Sequence, residues 1–226
     1  VLYSSARNEY ALTRMARILT RTVLTLQRQL KRGSFRPDAY ELSFRFAEDL
    51  DSVNISLSGQ EKMRLQGRID RIDVAEEDGK VNVKVVDYKS GDRHFDLAAL
   101  YYGLQLQLVV YMNAALEAEA KKHPHREILP AALLYYHIDD PAVESPVELS
   151  EEEIEEQIAG QLRMKGVVSS EPGIVERLDG GEWSRSEVIP VERKKDGTFS
   201  ARSSVLSGGD LKTVSEYVSR KIAGVG

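Results

Sequence analysis

The chain predicts an α/β fold, a mixed sheet flanked by helices, and three observations carry that expectation. A long stretch of helical periodicity opens the chain, and two alternating segments joined by a short acidic turn occupy its middle. A second helix and an apolar strand then follow. Helix, strands, helix and strand in that order suit helices packed on a sheet better than a bundle.

The first thirty or so residues read as one helix, because Leu12, Met15, Ala16, Leu19, Val23, Leu26 and Leu30 recur at spacings of three and four. At about 100° per residue, Arg14, Arg17, Arg21, Arg28 and Arg32 fall on the opposite face. That arginine side is either a solvated outer face or a surface that tracks DNA phosphates. Gly33, Ser34 and Pro37 end the helix. Tyr40 to Phe46 alternates as a strand, Val53 to Leu57 suits a short one, and Met63 to Val74 a longer one. Glu76, Glu77, Asp78 and Gly79 supply a hairpin turn, and Val81 to Lys89 is the return strand.

Asp96 caps a helix predicted to run on to about Lys121, where Pro124 bars its extension. Leu129 to His137 is apolar enough for a buried strand. Ser150 with Glu153 forms a capping box for an acidic helix to about Lys165. A Gly- and Ser-rich tract, a hairpin around Lys195-Asp196-Gly197 and a last helix from about Gly209 to Ile222 complete the chain. Residues 1–141 are expected to form the core, and 142–226 a mixed α/β C-terminal extension packed on it.

With 226 residues and 42% hydrophobic content, the chain buries a substantial core. No apolar run approaches a membrane span, and the first residues lack a secretion signal, so a soluble, cytoplasmic protein is expected. The absence of cysteine excludes disulfides, thiolate zinc sites and cysteine-ligated iron-sulfur clusters within this segment, so any metal sits on oxygen or imidazole. The net charge of −5 is unevenly spread. Eight basic residues stand against Glu9 alone up to Pro37, while Asp139, Asp140, Glu144, Glu148, Glu151, Glu152, Glu153, Glu155 and Glu156 form an acidic strip.

The chemistry concentrates between Leu65 and Gly91. On the return strand Asp87 and Lys89 share one face, and the partner strand carries Asp70 towards them. Gly67 just before it permits a close approach to the backbone. Magnesium keeps several waters, so Asp70, Asp87 and the main-chain carbonyl of Tyr88 suffice to hold it. Lys89 would then act on the attacking water and offset charge on the phosphoryl oxygens. As isolated residues, the same side chains also read as a strand-end ion pair. Glu41 stands as an outer carboxylate or a strand-edge charge, and Asp73 as a supporting residue behind the site. His123 and His125 read as a solvated loop, with no third ligand near in sequence.

GRIDRID followed by VVDYKSG resembles the metal-binding core of the PD-(D/E)XK nucleases in their RecB-type branch. The branch also has a downstream Q-h-x-x-Y motif on a helix, matched here by Gln107 to Tyr111, four residues apart and on one helical face. The resemblance implies a restriction-endonuclease-like sheet and a magnesium- or manganese-dependent DNA exonuclease. Asp70, Asp87 and Lys89 would be catalytic, with Gln107 and Tyr111 bracing them.

The wider text, from the arginine helix through YELSFRF, GLQLQLVVY and KKDGTFSARSSV, is similar to helicase-linked bacterial members of the branch. That similarity implies double-strand break processing for recombinational repair, and a partner subunit carrying the helicase motor. No GxxxxGK[ST] occurs here, so no ATP site is visible. Two departures are evident. The branch places a metal-binding histidine before the first aspartate, whereas His94, His123, His125 and His137 all follow Asp70. The member most resembled holds an iron-sulfur cluster on four cysteines, and this chain has none. A slice of a longer parent would account for both. The competing expectations are a non-catalytic DNA-guiding or docking module with a nuclease fold, and a phosphohydrolase of small substrates.

Overall fold

The computed structural model describes residues 5–44, 50–56, 62–91 and 95–224. Helix α1 (Ala6–Arg32) is followed by β1 (Arg36–Ser43), β2 (Asn54–Ser56), β3 (Lys62–Arg64), β4 (Arg68–Glu77) and β5 (Lys80–Lys89). Next come α2 (Leu97–Tyr101), α3 (Gln107–Lys122), β6 (Glu127–His137), α4 (Glu151–Gln161), β7 (Lys165–Ser169), α5 (Ile174–Leu178), β8 (Val205–Leu206) and α6 (Gly208–Ala223). Six strands form one mixed sheet in the order β1-β4-β5-β6-β7-β8, and β2 and β3 pair separately. The β5–β6 and β7–β8 pairs are parallel, the others antiparallel. From residues after 141, β7 and β8 add to this sheet beyond β6. Among the described residues no helix is long and apolar enough to cross a membrane. Arg45, Phe46, Leu57 and His94 lie outside the described residues.

The β4–β5 hairpin turns at Asp78 (φ 45°) and Gly79 (φ 78°), both left-handed, between the paired residues Glu77 and Lys80. A two-residue Asp-Gly loop of this kind matches the strand twist. Its return strand is buried from Val81 to Asp87, on both faces. Val81, Val83 and Val85 pack with Leu108, Val109 and Met112 of α3. Val86, on the other face, packs with Leu134, Tyr136, Val168 and Ile189.

Three elements depart from the periodicity. The helix predicted from Asp96 to about Lys121 is broken between Tyr101 and Gln107, where Gly103 takes φ 81°. The Gln105 side chain accepts from the Asp96 amide (3.0 Å), and the Leu104 amide donates to the Ala99 carbonyl (2.9 Å), fixing the break. The acidic helix α4 has the predicted Ser150–Glu153 capping box but stops at Gln161, and Lys165 opens β7.

Helix α1 is rotated relative to its apolar stripe. Its buried residues are Thr22, Thr25 and Gln29, while Met15, Leu19 and Val23 are 58–64% exposed. Polar anchoring sets this rotation. Gln29 donates to the Leu162 carbonyl (3.2 Å), Arg32 pairs with buried Asp179 (2.6 Å), and a Cβ on Gly33 would lie 2.3 Å from the Arg177 carbonyl.

On the face of the hairpin turned away from α3 lies a buried ion cluster. Arg71 grips Asp73 with two hydrogen bonds (2.6 and 2.5 Å), Lys84 Nζ lies 2.7 Å from the same carboxylate, and Asp73 is fully buried. The sequence places Asp73 as a support for the catalytic carboxylates. Strand alternation instead puts it with Arg71 on the face opposite Asp70, where its carboxylate pairs with both Arg71 and Lys84. Burial pushes its carboxyl pKa up, but the Arg71 hydrogen bonds and the Lys84 charge outweigh that and hold it below the usual range.

Asp73→Ala leaves two buried cations uncompensated and should cost about 3–5 kcal/mol in urea unfolding. A carboxyl with a depressed folded pKa contributes its stability above the unfolded value of about 3.9. The wild-type stability should therefore fall as pH drops below about 4, and the Asp73→Ala protein should show a shallower acid dependence.

Candidate active site

The register that sets Arg71 against Val86 carries one step further to Asp70 and Asp87, at the open end of the hairpin. The Tyr88 amide donates to Asp70 Oδ2 (2.8 Å), so the backbone of β5 orients the β4 carboxylate. Lys89 Nζ lies 2.6 Å from Asp87 Oδ2, and among the described residues no other donor is placed on that buried oxygen. Burial raises the Asp87 pKa, Lys89 opposes the shift, and the negative charge of Asp70 adds to it. Asp87 is thus a carboxylate held in a setting that disfavours its charge.

Lys89 also donates to Gln107 Oε1 (3.1 Å), and Gln107 Nε2 donates to the Tyr111 hydroxyl (2.7 Å). The helix break places Gln107 at the first turn of α3, beside the end of β5. Tyr111 packs edge-on against Phe44 (ring centres 5.8 Å apart, 74° between planes). The Phe44 ring in turn occupies the space over Gly67, where an added Cβ would lie 2.3 Å from its nearest carbon. Gly67, Phe44, Tyr111, Gln107, Lys89 and Asp87 therefore form one continuous chain of contacts. Gly67 is legible in the sequence as a close-approach position, but Phe44 reads only as a strand residue, and nothing in the sequence links it to Tyr111.

The remaining candidates separate from this cluster. Glu41 takes φ 50°, is exposed, and pairs with Arg68 (3.1 Å). Arg14 and Arg17 pair with Asp140, Arg21 reaches Glu155 (4.0 Å), and Arg28 reaches Glu187 (3.9 Å). The arginine side of α1 thus carries ion pairs while Arg14 and Arg17 remain about half exposed. It docks on carboxylates more than a hundred residues away in sequence. A cavity of about 780 Å³ lined by Lys80, Glu127, Met112 and Leu211 sits at the start of β5 and includes none of the site residues.

The donor set suits a hard divalent cation, because Asp87 and Asp70 face each other at the strand end with Lys89 to balance two carboxylates. Among the described residues no three His, Asp or Glu side chains converge, so waters would complete such a coordination shell.

A six-stranded mixed sheet with helices on it, and an aspartate opposite an Asp-x-Lys strand end, define a restriction-endonuclease-like fold. The family description of the PD-(D/E)XK nuclease superfamily matches residues 2–196, and the chain belongs to that superfamily. The B subunit of the ATP-dependent helicase/deoxyribonuclease of Lachnoclostridium phytofermentans is 44% identical over 227 positions, covering 96% of this chain and 18% of the relative. Proteins of the same name from Clostridium botulinum strain Hall and Alkaliphilus metalliredigens are each 40% identical, covering 96% and 100% of this chain. The chain spans about a fifth of the length of these relatives.

Gly67→Ala forces the Phe44 ring to move and should destabilise the fold by about 1–3 kcal/mol, read as a lower melting temperature.

Proposed function

We propose that the chain is the nuclease domain of an AddB-type helicase/nuclease subunit. In this reading it hydrolyses DNA phosphodiesters as a divalent-metal-dependent exonuclease during double-strand break processing and recombinational repair. The observation that carries the reading is the meeting of Asp70 with Asp87 and Lys89, with Lys89 tied to Gln107.

Asp70 and Asp87 would hold magnesium or manganese, with the Tyr88 carbonyl as a further oxygen ligand. When bound, that cation supplies Lewis acidity at the scissile phosphodiester. Lys89 holds its ammonium next to Asp87 and within reach of Gln107, where it offsets charge developing on the phosphoryl oxygens. Gln107 bonds both Lys89 and Tyr111, so it fixes the lysine's direction. The backbone amide of Tyr88 does the same for Asp70. The names of the relatives support DNA as substrate and a complex as setting, in which AddA would be the helicase-bearing partner.

One observation favours a second reading, a non-catalytic DNA-guiding or docking module: no third His, Asp or Glu converges on the pair among the described residues. The test is magnesium-dependent degradation of linear duplex and single-stranded DNA by the intact protein with its partner. Asp87→Ala and Lys89→Ala should each slow degradation about a hundred- to thousandfold. Degradation at the wild-type rate by Asp87→Ala would establish the module reading instead.

A further inference from the structure

The turn between α2 and α3 leaves Tyr101, Tyr102 and Leu104 60%, 73% and 77% exposed. These side chains are organised. The Tyr101 ring stacks on Tyr217 of α6 (5.8 Å between centres, 10° between planes), and the Tyr217 hydroxyl donates to the Tyr101 carbonyl (2.7 Å). Tyr102 meets Tyr101 edge-on at 5.3 Å. Lys221 Nζ lies 5.9 and 5.7 Å from the centres of the Tyr101 and Tyr217 rings. An aromatic ring left three-quarters in water adds little to core packing, and exposed apolar side chains gathered at one place mark a binding surface.

Its position names the partner. Leu104 is three residues before Gln107, a reach of at most about 11 Å along the chain, and Gln107 bonds Lys89. Leu104 is therefore held within that reach of the group that would face the scissile phosphate, and Tyr102 within about 18 Å of Gln107 along the chain, a span of a few nucleotides of an extended strand. The aromatic surface is also ordered in advance, by the Gly103 and Leu104 amides on the Leu100 and Ala99 carbonyls (both 2.9 Å) and by Gln105 on the Asp96 amide.

Resting on the nuclease reading above, we infer that Tyr101, Tyr102 and Leu104, with Tyr217 and Lys221 behind them, form a stacking platform for unpaired bases of a DNA strand entering the site. Flat rings take any base by its face, and the nearby ammonium attracts the connecting phosphates. In a duplex those base faces are covered by their neighbours, so the platform selects a single strand over a duplex.

The test uses the intact protein carrying Asp87→Ala, to prevent degradation, and a fluorescein-labelled 20-nucleotide single strand or the matching duplex. Adding Tyr102→Ala should weaken single-strand binding about five- to a hundredfold, leave duplex binding unchanged, and leave the melting temperature unmoved. Tyr102→Phe should restore single-strand binding. Unchanged single-strand affinity in Tyr102→Ala would overturn the platform. Loss of a co-purifying protein partner with DNA binding intact would also overturn it, in favour of a protein interface. Degradation by wild type and Asp87→Ala separates the two ideas: a difference there upholds the nuclease reading even when the platform fails, and equal degradation sinks that reading even when Tyr102→Ala loses single-strand binding.

Discussion

Burial of β5 on both faces is the constraint from which the rest follows. A strand flanked by β4 and β6, with α3 on one face and a second apolar cluster on the other, has few places for charge. Lys84 is buried within it and is neutralised by Asp73. Asp87 is the last fully buried position, and Tyr88 and Lys89 begin the exit to solvent. A carboxylate at that boundary is desolvated yet adjoins residues that meet solvent, the setting expected of a site that a cation would enter. The strand end does this without a dedicated loop, so its position depends on the sheet register alone.

The hairpin carries two charge clusters of similar composition with opposite balance. Arg71 and Lys84 surround one carboxylate, Asp73, and hold its pKa down. At the other, Asp87 pairs with Lys89 while the negative charge of Asp70 lies close by, and the pKa of Asp87 goes up. The first cluster is saturated and serves the fold, while the second is short of positive charge and suits a ligand that brings it. Arg71 also donates to the Tyr88 hydroxyl (3.2 Å), while the Tyr88 amide holds Asp70, so one residue couples the two. Strand alternation keeps stability and chemistry on different faces of the same ten-residue strands.

The hairpin and the pairing of Gln107 with Tyr111 were legible because both rest on short sequence separations, two-residue alternation and a four-residue helical step. The roll of α1 was not. Its apolar stripe predicts the inward face correctly only when core packing decides, and here Asp140, Asp179, Glu187 and the Leu162 carbonyl decide, all far along the chain. The helix break had a local signal, Gly103, but a glycine within a helical pattern is also tolerated as a weak point. Asp73 reads as a supporting residue by its nearness to Asp70 in sequence, but a three-residue offset in a two-residue period turns it to the opposite face.

The self-pairing of the α1 arginines changes how DNA would be held. Affinity built on phosphate contacts scales with the cations available to displace counterions, and Arg14, Arg17, Arg21 and Arg28 each already face a carboxylate. Cations beside the candidate site include Lys89 and, at the tyrosine cluster, Lys221. Binding that leans on ring stacking with few ion contacts retains its strength better as salt rises than binding by an arginine track. A site that itself gathers negative charge would gain from such an arrangement, because a strand gripped by its bases would leave its phosphates free to meet a cation.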